Sequence, residues 1–238
     1  MNKTANLQLP LLQAAQAQKH VTVNSSLTML DTLVQLRVKS STEVSAPPSP
    51  AEGESYIVPE GATGSWQGFE GKIAVYINGG WLFHNSKPGW RVWDDATSAT
   101  YIYDGARWVG GAVAVSSGGA ATISQVIEFD HPVAPGASHF TDVAIPANTL
   151  VYGISGRVTS DLADGTLMSW RLGVQGSDNR YGSNFGVSEN STVLGLSGAP
   201  VAYYQDTPLL LTADNGDFSA GEVRLAIHCT TLLPPRTV

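Results

Sequence analysis

The sequence predicts a mainly β protein with a short N-terminal helical stem, a small Trp-rich antiparallel β module, and a C-terminal β-sandwich or jelly roll. Three observations carry this expectation. Apolar residues near the start, Val23, Leu27, Leu30 and Val34, step by helical intervals. Five of the six tryptophans fall within residues 51–111, around two hairpin-type dipeptides. Beyond residue 120, apolar and polar positions alternate in short runs separated by turn residues, the pattern of an antiparallel sandwich. The expected boundaries are 1–45 for the stem, 46–111 for the module and 112–238 for the sandwich. Only the first zone has helical spacing, so helix should stay below about a quarter of the chain.

In the stem, Pro10 suits a first helical position and is expected to open a short helix over residues 11–19. Asn24 or Ser25 then caps a second helix carrying Val23, Leu27, Leu30 and Val34. Their spacing is heptad-like for less than two heptads. It fits either an amphipathic helix packed on its own domain or, the reading preferred here, a seam that joins identical subunits. Residues 40–50 follow, with three prolines among Ser and Thr, as a semi-rigid linker.

The module contains Ile73-Ala-Val-Tyr-Ile-Asn-Gly-Gly-Trp-Leu-Phe83 and Thr100-Tyr-Ile-Tyr-Asp-Gly-Ala-Arg-Trp-Val109. Asn78-Gly79 and Asp104-Gly105 both favour the positive φ values of type I′ turns, so two tight hairpins are expected. About 60 residues offer little burial, and aromatic side chains supply the most per residue. Core packing is therefore the preferred role for Trp66, Trp81, Trp90, Trp93 and Trp108.

The third zone reads as strands near residues 124–129, 150–158, 168–175, 193–196, 208–213 and 222–230, with turns at Asp164-Gly165 and Asn215-Gly216. Trp170, Leu172 and Val174 alternate with Ser169, Arg171 and Gly173. Val223, Leu225, Ile227 and Cys229 alternate with Arg224, Ala226 and His228. Cys229 is the one cysteine, and its place in that alternation predicts a buried, inert thiol.

Composition narrows the function classes. Of 238 residues, 42% are hydrophobic and 14% charged, against about 25% charged in average domains, so neutral polar residues must solvate the surface. A net charge of −7 argues against nucleic-acid binding, which needs a basic patch. No apolar run approaches a membrane span, and the first ten residues lack an apolar h-region, so neither membrane insertion nor a secretory signal is expected.

Catalytic constellations are missing as motifs. No phosphate-cradling loop, dinucleotide fingerprint or H-E-x-x-H occurs. Gly153-Ile-Ser-Gly156 and Gly195-Leu-Ser-Gly198 lack the spacing of a nucleophile elbow and read as strand-end turns. Five scattered histidines predict no metal site, and no cofactor is expected. Asp214-Asn-Gly-Asp217 lacks the remaining ligands of a calcium loop and reads as a hairpin turn. Asp94 and Asp95, as neighbours on an extended chain, should point to opposite faces and so fail as a glycosidase pair.

Aromatic and polar side chains on β structure suit sugar binding, in which a ring face stacks and hydroxyls are bonded. Asp178, Asn179, Arg180 and Tyr181 concentrate such groups in one loop, and Tyr203 and Tyr204 form a second cluster. Arg180 would also offset the negative balance toward an anionic polymer. The competing location is the Trp module, where an exposed Trp90 or Trp93 would be the stronger platform.

Leu9-Pro-Leu-Leu-Gln-Ala-Ala-Gln-Ala-Gln-Lys-His20, followed by Val23-Asn24, Leu30-Asp31 and Gln35, resembles the opening of a family of alphaproteobacterial phage and prophage structural proteins. Gly53-Glu-Ser-Tyr-Ile-Val-Pro59, Ala62-Thr-Gly-Ser-Trp66, Gly89-Trp-Arg-Val-Trp93 and Tyr103-Asp-Gly-Ala-Arg-Trp108 continue it, as do Pro208-Leu-Leu-Leu-Thr212 and Gly221-Glu-Val-Arg-Leu-Ala-Ile-His228. Members include the head spike fibre of gene transfer agents. The resemblance implies an N-terminal part that docks on capsid or spike-base proteins and a C-terminal part that binds bacterial capsular polysaccharide. It brings no catalytic residues. The expected protein is a non-enzymatic head spike, a homo-oligomer (trimer, with a pentamer as the alternative). It would be made in the bacterial cytoplasm, mounted on a phage-like particle and released with it. The alternatives are a capsule depolymerase, whose carboxylates converge across strands, and a structural scaffold that touches no sugar.

Overall fold

A computed structural model describes residues 3–12, 19–163 and 166–237. Among the described residues the protein is mostly β, 48% strand and 7% helix, in several antiparallel sheets with one helix near the N-terminus. The helix content lies below a quarter, as expected. The chain divides into two compact units, Met1–Ala121 with Pro234–Val238, and Thr122–Leu233.

The first unit opens with α1, Lys19–Leu33. Asn24 and Ser25 lie inside this helix and do not cap it. The Asn24 amide instead bonds both the N–H and the carbonyl of Leu12, at 2.9 and 3.0 Å, a tertiary contact that spacing could not reveal. Pro10 forms an isolated bridge with Lys3, and residues 11 and 12 are not helical. The rest of the expected first helix, 13–18, lies outside the described residues. The arm before it is held by buried Asp31, whose carboxylate accepts from Thr4 Oγ1 at 2.6 Å and from the Asn6 and Leu7 N–H groups. The helix ends before Gln35, whose positive φ of 56° makes it a left-handed stop, so Val34 stands just past the last turn.

The tryptophan-rich part forms two small sheets. Strands β2 (Ser55–Ile57), β3 (Ile73–Ile77) and β4 (Gly80–His84) make one, in that order. The other runs β1 (Arg37–Val38), β5 (Arg91–Asp94), β6 (Ala99–Tyr103), β7 (Trp108–Gly110), with β1 parallel to β5. A short strand, β8 (Ala112–Val115), follows. Asn78 and Gly79, at φ 51° and 80°, turn β3 into β4 as a two-residue loop. The Asp104-Gly105 hairpin is different. Tyr103 pairs with Trp108, so the loop has four residues, and the Asp104 carboxylate caps it by accepting from the Ala106 and Arg107 N–H groups. Asp94 caps the β5–β6 turn in the same way. Trp66 is fully buried, with Tyr56 and Trp81 around it at ring distances of 5.2 and 5.1 Å. Trp90 and Trp108 pack half-buried on a second cluster with Ile73 and Val92.

The second unit is a sandwich. One sheet has β10 (Ser138–Ile145), β14 (Thr207–Asp214) and β12 (Ser169–Gly173) in that order. The other runs β13 (Thr192–Tyr203), β11 (Thr149–Ser160), β15 (Glu222–Leu233), β9 (Ala121–Pro132). Their inner faces share one core, in which Trp170, Leu172, Leu209 and Leu211 of the first sheet meet Val151, Ile154, Val158, Leu225 and Ile227 of the second. Cys229 is buried there, and desolvation pushes its thiol up, as an inert thiol requires.

Several local expectations need correction. Gly153–Gly156 lies within β11 and Gly195–Gly198 within β13, so neither is a strand-end turn. A Cβ on Gly153 would stand 2.6 Å from the Gly195 carbonyl oxygen, so close strand packing, not a turn, requires that glycine. Asn215-Gly216 turns out of β14, but β15 lies in the other sheet, so this is a crossing loop and not a hairpin. Asp164-Gly165 lies outside the described residues. Strand β10 was missed because a register shift between Phe140 and Ala144 breaks the alternation.

Two buried histidines predict acid sensitivity. Burial lowers the pKa of His84 from the ordinary 6.5, and burial with the nearby His139 lowers that of His131 against the opposing pull of Asp142. The unfolded chain therefore takes up these protons first. Stability is full above about pH 6.5 and falls as pH drops through the lower folded values. Melting temperatures between pH 7.5 and 5 should decline (the range brackets the ordinary histidine value), and a His131→Phe variant should flatten part of that decline. An unchanged slope would contradict it.

Candidate functional site

The loop after β12 was expected to carry the site, and its backbone is tightly determined. Val174 and Ser177 bond each other reciprocally at 2.9–3.0 Å around Gly176, which takes φ 81°. The chain then returns to the sheet as Tyr181 N–H donates to the Leu172 carbonyl. This return drives Tyr181 into the core, where it is 1% exposed. Its backbone passes over Gly195, where a Cβ would stand 2.1 Å from the Tyr181 carbonyl oxygen. The hydroxyls of Tyr181 and Tyr203 bond at 2.6 Å, and desolvation, with that bond, raises the Tyr181 phenol further above its ordinary value. Tyr181 and Tyr203 are thus core residues whose rings offer no open face to a ligand. Tyr204, just past the end of β13, is 79% exposed.

Asp178 and Asn179 do meet other polar groups. They line an open groove of about 640 Å³ together with Ser169, Arg171, Ser183, Asn184, Asp214 and Asn215. Arg171 ties two of these residues together: Nε donates to Asp178 Oδ2 at 2.8 Å, and Nη1 donates to Asp214 Oδ1. Ser169 Oγ donates to the other Asp214 oxygen at 3.3 Å. These bonds, Asp178 first, raise the Arg171 guanidinium further above its ordinary value and fix it as a permanent cation. Asn184 and Asn215, both exposed, adopt left-handed φ of 59° and 58° and belong to the groove lining. Arg180 is exposed outside this lining.

Sequence reasoning missed Arg171, Ser169 and Asp214 as site residues. The alternation in β12 did contain the signal, since it sets Ser169 and Arg171 on the face opposite Trp170 and Leu172. Ser169 stands opposite Asp214 in the β12–β14 register, a pairing that the sequence does not display.

Other chemistry is sparse. Asp94 is buried as a turn cap, while Asp95 pairs with Arg37 at 2.6 Å, so the two carboxylates do diverge. Ser155 Oγ and His228 Nε2 bond at 2.8 Å, yet no carboxylate bonds that imidazole among the described residues, and the triad arrangement is incomplete. Among the described residues, no group of three His, Cys, Asp or Glu could hold a metal, and no helix is long and apolar enough to cross a membrane.

Residues 23–109 match the model of a family described as a protein of unknown function, DUF2793. No curated protein matches the chain. Among solved structures, a chain of the cyanophage Pam1 capsid asymmetric unit is similar at 20% identity and a TM-score of 0.34, over 45% of this chain and 86% of that one. A chain of the acid-stable capsid of Helicobacter pylori bacteriophage KHP30 is similar at 11% identity and a TM-score of 0.32, over 48% of this chain and 96% of that one. TM-scores of this size assign no function.

Proposed function

We propose that the protein is a structural component of a phage-like particle, a head spike that adsorbs to bacterial capsular polysaccharide without cleaving it. The motif resemblance supports the particle role. The observation that carries the binding role is the groove of the second unit, where Arg171, Asp178, Asp214 and the exposed amides of Asn179, Asn184 and Asn215 converge. A polysaccharide strand presents rows of hydroxyls, and planar carboxylate, amide and guanidinium groups bond these in pairs. The groove lining has no aromatic side chain, so recognition there runs through hydrogen bonds and not ring stacking.

The rival reading, a depolymerase, takes Asp178 and Asp214 as its acid pair. Hydrolysis needs one carboxyl held protonated, whereas both of these bond the same guanidinium. The test is to incubate the protein with capsular polysaccharide and measure retention and polymer length together. Retention with unchanged length is expected, and an Asn179→Ala, Asn184→Ala double variant should bind about tenfold more weakly, the loss of two ordinary hydrogen bonds. Shortening of the polymer would favour the enzyme, and no retention would favour a scaffold.

The same proposal includes a homo-oligomer, a trimer first, joined along α1. Val23, Leu30 and Val34 are 40%, 50% and 46% exposed, and Leu27 is half-buried. From Val21 to Leu33 the helix has one charged side chain, Asp31, and that is buried. A neutral, partly apolar helix face suits protein contact better than water. Light scattering should therefore give a multiple of 25.1 kDa, and Leu27→Asp with Leu30→Asp should shift it to the monomer. A wild-type monomer at micromolar concentration would overturn the assembly.

A further inference from the structure

The first unit holds a pocket of different character, about 330 Å³, between the two small sheets. Its wall is aromatic and fixed. Tyr101 stands opposite Gly110, and a Cβ there would come within 2.6 Å of the Tyr101 ring, so only glycine lets the ring lie on the strand. The Trp108 indole N–H donates to the Gly71 carbonyl at 3.0 Å, and its ring packs on Tyr103 at 5.2 Å. Both pocket rings stay partly exposed.

Around that wall stand polar groups with unused capacity. Ser41 Oγ is closed off from solvent and has no hydrogen-bond partner among the described residues, at a cost in stability. Glu60 and Arg107 line the pocket, are exposed, and make no side-chain hydrogen bond or ion pair among the described residues. Glu70 accepts from the Gly68 N–H with one oxygen and leaves the other open. An apolar wall with a few convergent, unsatisfied polar groups is the composition of a small-molecule site, and the volume lies within the usual range of about 300–1,000 Å³.

The charge pattern selects the ligand class. Two carboxylates disfavour an anion, and an apolar ligand would desolvate three charges without replacing their hydrogen bonds. A neutral polyhydroxylated ring satisfies the exposed groups: its C–H face covers Tyr101 and Trp108, its hydroxyls donate to Glu60 and Glu70, and they accept from Arg107. We propose that this pocket binds a single neutral pyranose residue, as a second sugar site distinct from the groove and not dependent on it.

The test uses the full chain with labelled tryptophan. Methyl glycosides of D-glucose, D-galactose and D-mannose are titrated separately into the millimolar range while the Trp108 indole N–H resonance is followed. A saturating shift is expected with at least one of them. Arg107→Ala and Glu60→Gln, both at exposed positions, should each weaken it about tenfold or more, the value of one hydrogen bond to a charged group. The Asn179→Ala, Asn184→Ala groove variant should leave it unchanged. No shift with any glycoside, a shift indifferent to Arg107→Ala and Glu60→Gln, or tighter binding of glucuronate than of the neutral glycosides would each overturn the proposal. Because capsule retention is scored on the groove variant and the indole shift on the pocket variants, the two readings fail separately.

Discussion

Replacing Trp170 with alanine is expected to cost the second unit about 3–5 kcal/mol, the range for removing a fully buried indole. Trp170 is 0% exposed and lies where the two sheets meet. Its ring packs against Phe185 at 5.2 Å, and its backbone exchanges two hydrogen bonds with Phe185, at 2.9 and 3.1 Å. The indole N–H donates to the Gly186 carbonyl at 3.0 Å, so the truncation also leaves a partly buried acceptor without its donor. Chemical denaturation followed by far-UV circular dichroism measures the loss, and Trp170→Phe should recover most of the packing but not the hydrogen bond. A cost below about 1 kcal/mol, as at an exposed surface position, would show that this residue is not central to the core.

The second large effect belongs to Gly173→Ala. A Cβ there would lie 2.1 Å from the Ser177 carbonyl oxygen and 2.4 and 2.7 Å from the Asp178 carbonyl carbon and Cα. All three atoms are backbone, so no side-chain rotation relieves the overlap. The loop after β12 must move outward, at a cost of about 1–3 kcal/mol or more for overpacking. The same movement withdraws Asp178 from Arg171 and opens one side of the groove. The variant should therefore lose both stability and capsule retention, whereas Asn179→Ala, at a position without left-handed φ, should lose retention alone. Equal melting temperatures for Gly173→Ala and the parent would contradict the close packing at this strand end.

What could be read from the sequence was whatever depends on a residue and its immediate neighbours. The β3–β4 hairpin follows from Asn78-Gly79, because the left-handed conformation of those two residues is local. The inner face of β15 follows from Val223, Leu225, Ile227 and Cys229, because a strand alternates wherever it is placed. Where a distant partner decides, local reading fails. Asn24 resembles a cap until the Leu12 backbone is brought to it. Residues 197–200 of β13 leave the ladder with β11, which steps from Leu196 to Val201, so the strand continues through a stretch with Pro200 that reads as its end.

The candidate site divides in the same way. Asp178 and Asn179 were recognisable as a polar loop, and they do line the groove. Tyr181, beside Asp, Asn and Arg, resembles a stacking platform in the sequence, but burial is a property of what lies across from a side chain. The sequence by itself determined the fold class, the helix followed by strands, the inert cysteine and the aromatic core of the module except Trp93, which was expected in that core but is 44% exposed, since periodicity, turn chemistry and composition act over a few residues. Only the tertiary structure decided that Gly195 would take Tyr181 into the core, and that Arg171 would stand between Asp178 and Asp214, 7 and 43 positions away. The reason is physical: strand register and sheet packing set which side chains face each other, and those contacts form between segments that the chain keeps far apart.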